Sequence, residues 1–300
     1  MFKRIGVLGH PHRPMTGEVC AEVSRHLRQQ GIETWCHPVW DSALVKPELM
    51  GTDLIIAIGG DGSMLRAARM ASHRDVPVFG INAGHLGFLT EAGLDEWDRA
   101  LRILLSGAYW IETRMMIHCE VWRGENPVFA DDALNDVVIG RGALARSILI
   151  ETYIDGGWTT TYNADGVIIA TPTGSTAYAL AVGGPILPPE LKNILVIPVA
   201  PHLSLDRPLV LSEGAVVEAV ISPELGVEPV LTIDGENITS LQPGDAVVVQ
   251  NSPLISRFVR LRERNYFYRS LLDRMEPRSP TRQERSPYHA RAGKRGVPRT

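Results

Sequence analysis

Asp61 is the one carboxylate in the run Gly59-Gly60-Asp61-Gly62-Ser63, at the point where an apolar stretch ends and a helical one begins. Glycine tolerates positive φ and lets a large polar ligand approach the backbone without meeting a Cβ. Free amides followed by a helix N-terminus favour phosphate. A carboxylate beside such a cradle can accept a proton, or bind a ribose or a metal ion. The plainer reading of the same residues is a tight turn with Asp61 as helix cap. A second stretch of this kind runs from Asp165 through Thr171-Pro172-Thr173-Gly174-Ser175-Thr176-Ala177-Tyr178 and suits phosphate or ribose in the same way. Between the two, Asn135-Asp136 breaks the apolar stretch Phe129 to Ile139, which either a β-bulge or a ligand contact explains.

These groups need elements to hold them. Leu54 to Ile58 is continuously apolar, as a parallel strand covered on both faces is, and ligands of open α/β sheets bind beyond the carboxyl ends of such strands. Lys3 to Leu8, Ile32 to Val39 and Val76 to Asn82 read as further strands. Gly17 to Gln30 has helical spacing at Val19, Val23 and Leu27 with Gly31 as its stop, Met64 to Ala71 continues the Asp61 turn as a helix, and Leu94 to Ser106 is amphipathic. Alternating strands and helices predict a mostly parallel sheet. The loop from Gly80 to Thr90 follows the fourth strand, so Asn82 should emerge on the edge that carries Asp61, with His85 as a surface residue.

From residue 112 the pattern changes to short β-branched runs separated by Gly, Pro, Asp or Asn, which predicts an all-β domain with one helix near Gly174 capped by Ser175 or Thr176. Ser256 to Leu261 reads as a last strand, separate from Ala246 to Asn251, and Tyr266 to Arg274 as a closing helix. The fold class is therefore α/β plus all-β. A Rossmann-like parallel α/β domain covers 1–111 and is rejoined by 256–274, and a β-sandwich-like domain covers 112–255.

With 44% apolar and 21% charged residues in 300, the chain is long enough for two real cores. No run reaches the length of a membrane span and no signal-like core opens the sequence, so the expected location is cytoplasmic. Cys20, Cys36 and Cys119 show no metal-ligand spacing and are expected to be buried as small apolar residues. The net charge of −4 conceals an asymmetry: residues 277–300 carry seven basic side chains and one acidic, so that tail is +6 and the remainder −10. An acidic body argues against nucleic acid as the main partner. The tail is rich in Arg, Pro and Ser and poor in large apolar residues, which predicts a disordered basic extension. Deleting 277–300 is expected to leave melting temperature and turnover at the full-length values, as a thermal scan and an activity assay would check.

The order Gly59-Gly60-Asp61-Gly62, Gly80-Ile81-Asn82 with Leu86-Gly87-Phe88-Leu89, Asn135-Asp136, the block from Asp165 to Tyr178, and Gly183-Gly184-Pro185-Ile186 strongly resembles the NAD kinase family, over roughly residues 3 to 273. The resemblance implies phosphoryl transfer from ATP to the 2′-hydroxyl of the adenosine ribose of NAD, at a site between the α/β and β domains. It also implies a divalent cation, Mg²⁺ in the usual case, with no protein ligands identified for it, and a homodimer or homotetramer. By matching positions it makes Asp61 the proton acceptor, Gly59, Gly60, Gly62 and Ser63 the phosphate loop, and Asn135 and Asp136 the adenine- and ribose-side pair. The remaining positions it implies for NAD are Asp61 and Gly62 themselves, Phe88 near the adenine, Arg146, Asn163, Asp165, Glu236, and Thr176, Ala177, Tyr178, Ala179, Leu180 and Ala181. The chain departs from the family pattern at four places: Ser63 stands for a commoner Thr, Ala181-Val182 for Ser-Ala, Glu236 for a neutral Gln, and Pro201 to Pro208 keeps the family's Pro-His and Arg-Pro but rearranges the hydroxyl-bearing residues between them. A lipid kinase with a similar glycine turn and a non-catalytic dinucleotide-binding module are the competing readings; the long second block speaks against the former and the retained acid at Asp61 against the latter.

Overall fold

A computed structural model describes residues 2–11, 14–84, 87–143, 146–223 and 228–275. The first part of the chain alternates β1 (Arg4–Gly9), α1 (Pro14–Gln29), β2 (Glu33–Pro38), α2 (Ser42–Glu48), β3 (Leu54–Gly59), α3 (Asp61–Ser72), β4 (Val78–Asn82), β5 (Ala92–Gly93) and α4 (Trp97–Leu105). Strands follow at β6 (Trp110–Arg123), β7 (Asn126–Ala133), β8 (Asp136–Gly140), β9 (Ile148–Ile154), β10 (Gly157–Ala164) and β11 (Gly166–Ala170). A single helical turn, α5 (Tyr178–Ala181), precedes β12 (Asn193–Val199), β13 (Leu209–Ser212), β14 (Val217–Ile221), β15 (Val230–Ile233), β16 (Glu236–Ser240), β17 (Ala246–Arg260) and α6 (Tyr266–Met275).

Every residue of β3 is buried, and the two faces of the strand serve different cores. Ile55 and Ala57 pack with Met64, Ala67 and Ala68 of α3, whereas Leu54, Ile56 and Ile58 pack with Val23 and Leu27 of α1 and Leu101 and Leu104 of α4. The parallel strands run in the order β2-β1-β3-β4. The chain order therefore reverses at β1 and β3, and the crevice at the carboxyl ends of such a switch point is where open α/β sheets bind ligands. Asp61 follows β3 there.

The sheet does not end with β4. Among the described residues β17 pairs with β4 in parallel at Phe258 and Val78 and with β6 in antiparallel along its length, so eleven strands form one sheet. The sequence suggested two separate strands for this segment. Asn251-Ser252-Pro253 reads as a turn, yet the strand passes through it with a register irregularity between Asn251 and Ile255, as a bulge allows. A second, six-stranded sheet, β13-β12-β11-β8-β15-β16, faces the first across an apolar core that includes Ile117, Val121, Ile150 and Tyr162 on one side and Val137, Ile139, Val167 and Leu231 on the other.

Leu134-Asn135 is where the chain crosses between these sheets: β7 belongs to the large one and β8 to the small one. The polar pair thus interrupts an apolar stretch because the chain leaves one sheet and enters the other. Two β-hairpins turn on Asp155-Gly156 and Asp234-Gly235, with positive φ at all four residues, the backbone that Asp-Gly favours in two-residue turns. The expected helix near Gly174 is a 3₁₀ turn (Gly174–Thr176) followed by the one turn of α5, and no side chain caps either. Ser175 instead shares its hydroxyl between the Pro172 carbonyl and the backbone of Leu187.

Cys20 and Cys119 are buried as expected, but Cys36 is exposed because β2 is an edge strand with one flank open. α2, which sequence spacing missed, is short and carries Pro47 in its last turn; Asp41 caps it through the Leu44 amide. Through Leu261 the chain is one compact unit, and from Arg262 it forms a second, whose described helix is α6. Among the described residues no helix is long and apolar enough to cross a membrane. The expected basic tail at 277–300, His85 and Leu86 lie outside the described residues.

Candidate active site

Asp61 is the first residue of α3, not its cap; Gly60 takes the cap position and offers no side-chain bond. This frees the carboxylate to reach across to the loop after β4, where Oδ2 accepts from the Phe88 amide at 3.0 Å and Oδ1 from the Leu89 amide at 3.2 Å. A Cβ on Gly87 would lie 1.8 Å from Asp61 Oδ1, so the loop can approach this closely only with glycine at 87. Thr90 and Asn82 pin the loop from within. The Thr90 hydroxyl receives the Gly87 amide and the Asn82 carboxamide, and Asn82 Oδ1 receives the Gly84 amide. Asn82 pairs with Gly59 across β4 and β3, which brings both turns to one edge. Ser63 is buried, its Oγ packs where a Gly59 Cβ would be, and that hydroxyl has no hydrogen-bond partner among the described residues. Gly59, Gly60 and Gly62 complete a turn in which the Ser63 and Met64 amides both fold back on the Gly60 carbonyl, at 3.0 and 3.2 Å, to start α3.

Replacing Gly87 with Ala should push the Asp61 carboxylate out of place while leaving its charge and the helix intact. A loss in kcat of roughly 10–10²-fold, with melting temperature changed little, is the expected outcome in steady-state kinetics and a thermal scan.

The second cluster forms where the chain crosses between the sheets. Asn135, Asp136, Ala177, Tyr178 and Asp234 line one cavity of about 350 Å³. It joins residues from three separate stretches of sequence. Gly174 makes this possible, because any Cβ there would stand 2.1 Å from the Asn135 carbonyl oxygen. Asp234 was not singled out in the sequence, although its Asp-Gly turn signal was legible. Its buried carboxylate accepts the amides of Leu134, Asn135 and Asp136 at 2.9, 2.6 and 3.2 Å, and so holds the crossing segment in shape. Arg69 of α3 stands 3.6 Å from Asp234 and bonds Asp131 at 2.5 Å.

Burial and the neighbouring Asp234 push the Asp136 carboxyl up to about 7. Burial also raises Asp234, against the opposing pull of Arg69 and the three amides. Because the Asp136 pKa is raised on folding from 3.8, the native state holds a proton that the unfolded chain has released between about pH 4 and pH 7. Its contribution to stability is full below that window and is lost as pH rises through it. Asp136→Asn keeps the shape and removes the ionisation. Urea unfolding from pH 4 to 8 should show variant and wild type diverging as pH rises, with the variant ahead by on the order of a few kcal/mol above pH 7.

The other implied residues are more scattered. Phe88 is buried beside Asp61's loop. Thr176 bonds the Thr173 carbonyl at 3.1 Å, while Ala179 is buried, Leu180 half-buried and Ala181 exposed on α5. Asn163 closes β10 through its backbone, to the His202 amide and the Ser204 hydroxyl. Asp165 pairs with Arg141 at 3.2 Å. Arg146 is exposed, beside residues outside those described. Glu236 directs its carboxylate to Arg66 and Arg69.

Comparison with known proteins points to one family. The family model of the ATP-NAD kinase N-terminal domain matches residues 10–109, and that of the ATP-NAD kinase C-terminal domain matches 134–261. An NAD kinase of Pseudomonas aeruginosa (strain PAO1) is 37% identical over 279 residues, 89% of this chain and 93% of that protein. One from Chloroflexus aurantiacus (strain J-10-fl) is 39% identical over 276 residues, covering 92% and 99%. Yeast NADH kinase complexed with NADH superposes with a TM-score of 0.76 at 25% identity, over 92% of this chain and 88% of its own. The fold is also that of an NAD kinase from Archaeoglobus fulgidus in complex with ATP, with a TM-score of 0.72 at 24% identity over 90% and 97%. Fold and matches together define an ATP-dependent phosphotransferase. The chain belongs to the NAD kinase family.

Proposed function

We propose that Asp61 accepts the 2′-hydroxyl proton of the adenosine ribose of NAD as that oxygen attacks the γ-phosphorus of ATP, giving NADP and ADP. Phosphoryl transfer depends on an oriented nucleophile and on neutralising phosphate charge, with proton removal late. Asp61 suits the last role because two amides fix the direction of its carboxylate. The N-terminus of α3, with Ser63 in its first turn, suits the phosphates; the space beside Gly60 and Gly62 is open to them, while Gly59 makes room for the Ser63 hydroxyl. At the turn Asp61 offers a carboxylate, the donor type that Mg²⁺ takes alongside substrate phosphates. A divalent cation bound there would neutralise phosphate charge. The observation that carries the NAD side is the common cavity of Asn135, Asp136, Ala177 and Tyr178, in which a carboxylate can accept both hydroxyls of a ribose and an aromatic ring borders an adenine.

Phe88, Arg146, Asn163, Asp165, Thr176, Ala179, Leu180, Ala181 and Glu236 belong to the same reading as further NAD contacts. So do assembly as a homodimer or homotetramer and a cytoplasmic setting. The α/β part over 1–111, rejoined by 256–274, supplies the phosphate side in this reading, and 112–255 the NAD side. Incubation with NAD, ATP and Mg²⁺ should give a product whose ³¹P spectrum carries a 2′-phosphomonoester. A parallel incubation with diacylglycerol should yield no phosphatidic acid, and label in the lipid alone would overturn the proposal. Sedimentation equilibrium reads the assembly state.

A further inference from the structure

We infer that Arg260 is a positioning residue for this reaction: it grips the carbonyls of the two residues whose amides orient Asp61 and ties that loop, through Glu112 and Arg114, to the segment that builds the NAD-side cavity. The inference rests on the reading of Asp61 as proton acceptor.

Arg260 ends β17 and is fully buried. Its Nη2 donates to the Phe88 carbonyl at 3.3 Å and its Nη1 to the Leu89 carbonyl at 3.2 Å. These are the two residues whose amides hold Asp61. The Phe88 carbonyl and the Leu89 N–H belong to one peptide unit, so a guanidinium grips one end of that unit and the Asp61 carboxylate the other. A cation on the carbonyl strengthens the N–H as a donor, and chains of hydrogen bonds reinforce one another in this way.

The grip is itself anchored. Arg260 Nη1 bonds Glu91 Oε1 at 2.8 Å, and the other oxygen of Glu91 takes the Leu261 amide at 2.8 Å. Arg260 Nε and Nη2 meet Glu112 Oε2 at 2.8 and 2.6 Å. Arg114 approaches the same oxygen with Nε at 3.0 Å and Nη2 at 2.9 Å, and its Nη1 reaches the Thr173 hydroxyl at 3.3 Å. Thr173 adjoins Gly174, which packs on Asn135. Burial works to raise the Glu112 pKa, but Arg114 and Arg260 outweigh it and hold the group below the ordinary carboxylate value. Two arginines and two glutamates thus sit buried between the phosphate-side turn and the NAD-side cavity.

Stability is a poor reason for such a cluster, since apolar residues of like volume often serve a core equally well. Geometry is a better one. A planar guanidinium reaches two carboxylates and two carbonyls in fixed directions, which a point charge on a flexible stem does not.

The test is a double-mutant cycle on the full chain with Arg260→Lys, Asp61→Asn and the pair, read as single-turnover rate, KM for each substrate and melting temperature. Arg260→Lys keeps the charge that Glu91 and Glu112 need. Its single-turnover rate is expected to fall by roughly 10²-fold with both KM values within threefold, and the double variant should turn over no more slowly than Asp61→Asn alone. A folded Arg260→Lys within threefold of wild type, or losses that multiply in the double variant, would overturn the inference. If Asp61→Asn itself turned over normally, the reading of Asp61 would fail and the inference with it. Should Arg260→Lys not fold, Glu91→Gln, which keeps an acceptor for Arg260, carries the same cycle with the same criteria.

Discussion

Asp61→Asn is expected to lower kcat by roughly 10²–10⁴-fold while NAD affinity changes much less, the pattern of a lost general base. Both carboxylate oxygens accept a backbone amide, from Phe88 and from Leu89. An asparagine has one acceptor and must turn its NH₂ toward the other amide, so the variant also gives up one hydrogen bond, at a cost of about 1–3 kcal/mol. Melting temperature should therefore drop modestly with the fold retained. A purely structural Asp61 would give that drop with near-normal turnover in the folded fraction. Gly87→Ala separates the two components, because it displaces the carboxylate without neutralising it. Calorimetric NAD affinity, melting temperature and single-turnover rate on one preparation decide the matter, and turnover within threefold of wild type would remove Asp61 from the mechanism.

Asp136→Ala is expected to raise the KM for NAD by roughly 10–10²-fold and to leave the KM for ATP within threefold, as the loss of a charge-assisted hydrogen bond to one substrate would. Stability should not fall in parallel. Asp136 lies beside Asp234, and removing one of two buried carboxylates relieves repulsion and desolvation at neutral pH. The opposed directions make the test sharp, since damage to β8 would weaken both substrates and the fold together. Equal rises in the two KM values, or a lowered unfolding midpoint at pH 7.5, would count against a ribose contact.

Local patterns of single stretches were enough for much of this protein. The continuously apolar run from Leu54 to Ile58 and the glycine after it marked a strand-to-loop edge, and the succession of short β-branched runs beyond residue 112 marked a second, all-β part. Both rest on periodicity, which neighbouring residues determine among themselves. The glycine turn at Asp61 and the Asp165 to Tyr178 block were legible for the same reason.

Tertiary structure alone decided what those residues touch. Whether Asp61 caps its own helix depends on a loop 27 residues away in sequence, whose amides capture it. Asn135-Asp136 reads as an interrupted strand until two sheets exist for the chain to cross between. Asp234 shows only a turn signal and Arg260 no motif at all, and their partners lie up to 100 and 172 residues away in sequence. A buried ion or carboxylate is specified by the groups that compensate it, and folding gathers those from distant segments, so no window of sequence contains the information that places Arg260 behind Asp61.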